Sequence, residues 1–232
     1  MTSSGSALGS ARWPEVGASV LAVPLGATEQ HGPHLPLDTD TTVAAELCRR
    51  LAGRVADVVV APAVPYGASG EHAGFPGTLS IGTQALELLL VELGRSCDRF
   101  RGVVFVNGHG GNRAALEAAV RLLRFEGRRI LAGAPSGPQD DSHAGRTETS
   151  VMLRLRPSDV RLDVAEPGAT APLPELMDEL VRGGAGAVST NGVLGDPTGA
   201  TAAEGERILE TWVADLAGAV RTWLDRLPVH DS

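Results

Sequence analysis

The chain has 232 residues, of which 20 are basic and 28 acidic, for a formal net charge of −8. That length suits one sizeable α/β domain, since single cores commonly reach about 200–250 residues before splitting. The acidic balance excludes a nucleic-acid partner, which needs a clustered positive field; the absence of any run near about 20 apolar residues excludes a membrane-spanning helix; and because every basic residue is Arg, lysine nucleophiles and Schiff bases are excluded as well.

The opening MTSSGSALGS is small and polar, without the basic start and apolar block of a secretory signal. Residues 1–12 therefore read as a flexible tail on a single domain over 1–232, in a cytoplasmic protein. Ala18–Leu25 is a continuous apolar run of strand length, followed by the polar, Gly/Pro-punctuated EQHGPHLPLDTDT. From Thr41 to Ala52 apolar residues recur at helical spacing, with Asp and Thr in front as N-caps. Val58–Val64 is a second strand, and Thr83–Phe100 an amphipathic helix. Val103–Val106 predicts a third strand, Arg113–Phe125 a helix and Ile130–Ala132 a fourth strand. Thr147–Leu155 and Ala202–Leu227 read as helices, separated by a Gly- and Pro-rich segment over 157–200. Cys48 and Cys97 fall in helical segments away from any CxxC spacing, which suits reduced packing residues. Strictly alternating strands and helices predict a three-layer α/β sandwich. Its mainly parallel central sheet is flanked by helices, and its ligand crevice lies beyond the carboxyl ends of the strands.

The polar motifs fall at that crevice. Glu29 and His31 stand two residues apart on one side of an extended chain, and Asp40 returns nine residues after His31. Oxygen and imidazole donors together suit Zn²⁺, Mn²⁺ or Fe²⁺ better than Ca²⁺ or Cu(I). The plainer alternatives are a solvated turn for Glu29–His31 and helix capping for Asp38 or Asp40. NGHGGN (107–112) reads as a tight strand-to-helix turn, as a phosphate-cradling loop, or as a ligand loop, and the position of His109 beside the first motif favours ligation. His143 and Glu148 lie five residues apart at a helix start; their spacing alone reads as a capping carboxylate with an exposed histidine.

Four segments, PLGATEQHGPHLPLDTDT (24–41), YGASGEHAGFPGTLSIG (66–82), VNGHGGN (106–112) and SHAGRTETS (142–150), together resemble the creatininase family of metal-dependent amidohydrolases. The late segment GVLGDPTGATAAEGERI (192–208) is similar to the branch of that family acting on the mycofactocin precursor peptide. The resemblance implies two divalent ions (Zn, Fe or Mn) per subunit, one held by Glu29, Asp40 and His109, the other by His31, Asp40 and Glu148. Asp40 would bridge, and a hydroxide shared by the ions would attack the amide carbon. His143, with its pKa near neutrality, would shuttle a proton to the departing amine. His34, Glu71 and His72 would line the pocket or orient a ligand. The implied activity is cleavage of the modified precursor peptide near its C-terminus, releasing a Val-Tyr-derived unit, by a homo-oligomer resembling the creatininase hexamer. Creatininase proper carries bulky and acidic residues after the second-motif histidine and tryptophans over its pocket. Here Gly110 and Gly111 follow His109, and tryptophan occurs only at 13, 212 and 223, which argues against creatinine. A creatinine or formamide amidohydrolase remains the rival enzyme, and a non-catalytic ligand binder on the same fold the rival class.

Overall fold

The computed structural model describes residues 7–138 and 140–226. Four parallel strands, β1 (Val20–Leu25), β2 (Val58–Val60), β3 (Gly102–Asn107) and β4 (Ile130–Gly133), lie in the order β2-β1-β3-β4. Val20 stands opposite both Val58 and Gly102, Leu25 opposite Asn107, and Val103 opposite Ile130. Residues of β1 and β3 are buried throughout because helices cover both faces of the sheet. Val20, Ala22, Val104 and Val106 turn to a core shared with α1 (Thr39–Arg54), α4 (Arg146–Leu155) and α7 (Ala202–Asp225). Leu21, Val23, Leu25, Val103 and Phe105 turn to the other core, with α2 (Gly82–Arg95) and α3 (Arg113–Phe125). The two-residue alternation of a strand thus splits one apolar run between two cores. The expected three-layer sandwich with a parallel sheet is the observed fold.

From β1 the chain runs through α1 to β2, then returns across β1 through α2 to β3 and on through α3 to β4. Its winding reverses between β1 and β3, so the loops leaving their carboxyl ends diverge and open a crevice between them. The loop after β1 carries Glu29 and His31 and feeds Asp40 on the first turn of α1, and the loop after β3 carries His109.

Several boundaries differ from expectation. β2 ends at Val60 rather than Val64, because Pro62 has no N–H for the ladder, and pairing resumes only as an isolated bridge of Val64 to Leu25. The 157–200 segment holds two helices, α5 (Leu173–Gly183) and α6 (Ala185–Val188). Pro172 and Pro174, which look like breakers, occupy the N-cap and first turn of α5, where a missing N–H costs nothing. α7 begins as expected, its Thr201 hydroxyl accepting from Glu204 N at 3.2 Å, while Leu227 and His230 lie outside the described residues. Residues 1–6 of the expected tail are also outside them; Leu8–Ser10 form a 3-10 turn, and Ala7 bridges Val60. Among the described residues no helix is long and apolar enough to cross a membrane.

Candidate functional site

The crevice brings the five expected ligands together. Glu29 and His31 are fully buried, Asp40 and His109 nearly so, and Glu148 enters from the first turn of α4. His31 Nε2 is 3.1 Å from Asp40 Oδ1 and 3.9 Å from Glu148 Oε2. His109 Nδ1 is 3.1 Å from Glu29 Oε1 and 3.3 Å from Asp40 Oδ2. Glu29, Asp40 and His109 form one three-donor cluster able to hold an ion, and His31, Asp40 and Glu148 a second. A third compact set is Glu29, His31 and His143. Of the two aspartates, Asp38 occupies the N-cap of α1 without capping it and pairs instead with Arg156 Nη1 at 2.7 Å, leaving Asp40 for the cluster.

The backbone sets the imidazole tautomers. His31 Nδ1 donates to the Glu29 carbonyl at 3.2 Å, so its bare Nε2 faces Asp40. His109 Nε2 donates to the Ala68 carbonyl at 3.3 Å, so its bare Nδ1 faces Glu29 and Asp40. Lone pairs therefore confront carboxylates, an arrangement that needs positive charge between them. Without a metal, protons supply it. Burial disfavours the His31 imidazolium, yet Asp40, Glu148 and Glu29 hold its pKa up to about 10. His109 is likewise opposed by burial but raised well above its ordinary value by Asp40 and Glu29. Burial pushes Glu148 up to about 7 against the pull of His31. With His109 Nδ1 bare, both Glu29 carboxylate oxygens and Asp40 Oδ2 are buried without a hydrogen-bond partner. Orphaned anionic oxygens at this depth are costly, and a divalent cation is the group that satisfies them. The residues fit one.

His143 lies beside the cluster, its Nδ1 3.8 Å from Glu29 Oε1 and its Nε2 donating to the Gln30 carbonyl at 2.8 Å. Its expected pKa near neutrality is corrected: burial, with His31 and His72 nearby, holds it well below the ordinary value, so the ring is neutral with Nδ1 bare. The next residue, Ala144, takes a left-handed conformation (φ 54°), which aims its N–H at Glu148 Oε2, 2.6 Å away. His72 Nε2 lies 3.6 Å from Glu29 Oε1. His34 stays out of the cluster and binds Thr149 Oγ1 at 2.9 Å, tying the first loop to α4 beside Glu148. Glu71 Oε1 is 3.5 Å from His109 Nε2, in space that a Cβ at Gly111 would invade, 2.4 Å from the same oxygen.

Two further residues organise the site without having been singled out from sequence. Gln30 Oε1 accepts from Gly32 N at 2.8 Å, and its Nε2 reaches the Gly192 carbonyl at 3.0 Å and His72 Nδ1 at 2.8 Å. This leaves His72 with an Nε2–H directed at Glu29. Asn112 joins three loops, donating to the Gly26 carbonyl at 3.0 Å and to Asn107 Oδ1 at 3.1 Å while accepting from Ala68 N at 2.9 Å. Both are amides inside motifs read for their His and Glu, and only their positions beside ligands could have marked them. Trp212 lines a cavity of about 290 Å³ together with Asp40, His143 and Glu148, so tryptophan does border the site, and the sequence argument against creatinine rests on Gly110 and Gly111 alone. A second cavity of about 790 Å³ also reaches His109 and His143 and is walled by α5.

The family profile described as creatininase (creatinine amidohydrolase) matches residues 10–220. Mycofactocin precursor peptide peptidases of Mycolicibacterium smegmatis and Mycobacterium tuberculosis are 57% and 52% identical over 210 and 225 residues, covering 88% and 93% of this chain and 85% and 89% of theirs. Solved creatininases described as the Mn form and as a Zn–Zn mutant are 28% and 29% identical, superpose with TM-scores of 0.76 each, and share 96% of this chain with 98% of theirs. Sequence, fold and site geometry lead to one conclusion: the chain belongs to the creatininase family and is a hydrolase acting on carbon–nitrogen bonds.

Proposed function

We propose that the chain is a metal-dependent peptidase that hydrolyses an amide bond near the C-terminus of the modified mycofactocin precursor peptide, releasing a Val-Tyr-derived unit. The observation that carries this reading is the set of orphaned carboxylate oxygens of Glu29 and Asp40 in a chain 57% identical to a peptidase named for that substrate. Two cavities that share His109 and His143 in their lining support it, since a peptide needs room for residues flanking its scissile amide. In this reading Glu29, Asp40 and His109 hold one divalent ion and His31, Asp40 and Glu148 the other. Zn²⁺, Fe²⁺ and Mn²⁺ all suit these donors. Divalent ions held there would supply Lewis acidity to the scissile carbonyl and to a water molecule.

The protein's own groups do the rest. The bare Nδ1 of His143 accepts the proton that the attacking water gives up and passes it to the departing amine as the amide carbon–nitrogen bond breaks. Gln30 and the Gln30 carbonyl orient His72 and His143, and His72 in turn steadies Glu29. Gly110, with open space where a Cβ would stand, leaves room for a peptide. The reading takes the chain as one cytoplasmic domain over 1–232 that assembles as a homo-oligomer of the creatininase kind. Metal-loaded protein incubated with the modified peptide, and separately with creatinine, tests it by mass spectrometry. Peptide cleavage abolished by a chelator is expected. Intact peptide in the presence of protein carrying about one or more equivalents of metal would overturn it.

A further inference from the structure

α5 has no buried residue, although Leu173, Met177, Leu180 and Val181 recur at i, i+4, i+7 and i+8 and form one apolar stripe. The stripe joins neither core. It walls the 790 Å³ cavity that also holds His72, His109 and His143, with Met177 43% and Val181 78% exposed. The placement is firm, because Gly184 ends the helix at φ 72°, and a Cβ there would sit 2.6 Å from the Glu71 carbonyl oxygen. The end of α5 is therefore pressed onto the turn that carries Glu71 and His72. The cavity has a polar wall at the site of chemistry, an apolar wall on α5, and glycines at 110 and 111.

An uncovered apolar stripe facing a reaction site gains stability from whatever covers it. A second copy seated there would seal the cavity against substrate, so the occupant that fits is the substrate itself. We propose that this stripe is the subsite for a bulky apolar or aromatic residue flanking the scissile amide, with Met177 and Val181 as its specificity-determining contacts. The assignment rests on the hydrolase reading of the site and adds the chemistry of the residue that the site accepts.

Two measurements test it. Val181→Asp, on the exposed helix, should lower kcat/KM for the modified precursor peptide by about 10–200-fold, chiefly through KM, at unchanged metal content. In protein carrying ¹³C-methyl methionine, N-acetylphenylalaninamide should shift the Met177 methyl resonance while N-acetylaspartamide does not, and Val181→Asp should abolish the shift. The core residue Met152, fully buried, is the internal control. A silent Met177, equal responses to both amides, or an unchanged kcat/KM in Val181→Asp would overturn the subsite. So would a drop in molecular mass of Val181→Asp by light scattering, which would make the stripe an interface between copies. Wild-type protein that leaves the peptide intact while Met177 responds would sink the peptidase reading and leave the subsite standing.

Discussion

Replacing Asp40 by Asn tests the site most directly. The side chain is 2% exposed on the first turn of α1, with Oδ1 3.1 Å from His31 Nε2 and Oδ2 unpaired, 3.3 Å from His109 Nδ1. Asn keeps the volume but removes an anionic donor from both three-residue clusters at once. A ligand present at about 100 times its Kd stabilises the fold by about 2.7 kcal/mol, and for a chain of this size each kcal/mol moves Tm by roughly 2–4 °C. One occupied site is therefore worth about 5–11 °C, and the Asn variant should lose most of that increment. Lewis-acid stabilisation of several kcal/mol, at 1.36 kcal/mol per tenfold, implies a fall in turnover of about 10³-fold or more. Differential scanning fluorimetry with and without chelator, elemental analysis and peptide turnover provide the measurements. Asp40→Asn protein with a full metal complement, a wild-type chelator response and turnover within about tenfold of wild type would refute the shared-ligand role.

Three other outcomes are expected. Gln30→Met strands the Gly32 N–H and the Gly192 carbonyl and frees His72, so metal affinity should drop by about 10–100-fold and Tm should fall; isothermal titration showing wild-type affinity would contradict the orienting role. Gly205→Ala places a Cβ 1.9 Å from the Ser150 carbonyl oxygen, forcing α7 from α4 at about 1–3 kcal/mol, or roughly 2–12 °C in Tm; an unshifted melting curve would disprove the close approach. Metal-free protein at pH 8 carries a proton on His31, held up to about 10, and the His109 pKa is raised as well, so adding Zn²⁺ should release about one proton or more, read with an indicator dye in weak buffer. Since these folded-state values lie above the ordinary 6.5, their stabilisation of the metal-free fold is complete below about pH 6.5 and is lost as pH climbs through about 10 for His31. No proton release would refute the charged resting state of the cluster.

Much of this was legible from sequence for local reasons. The apolar runs Ala18–Leu25 and Val103–Val106 declare strands, found at Val20–Leu25 and Gly102–Asn107 and covered on both faces, and Glu29, His31 and Asp40 declare a donor set through residue type and spacing. Glu148, by contrast, reads from spacing as a helix cap and became a candidate ligand only through family resemblance. α5 was hidden because its prolines look like breakers until their position in its first turn is seen. Gln30 and Asn112 were hidden because an amide's role depends on which distant groups it reaches: Gly192 and His72 for one, Gly26 and Ala68 for the other. The sequence by itself determined the four strands, helices α1–α4 and α7, the parallel sheet and the chemistry of the first motif, all properties of neighbouring residues. Only the tertiary structure decided the β2-β1-β3-β4 order, and with it the reversal that sets the loops after β1 and β3 around one crevice, because that order depends on which face each crossover helix covers. The orphaned oxygens of Glu29 and Asp40, the neutral His143 and the apolar wall of α5 follow from that arrangement.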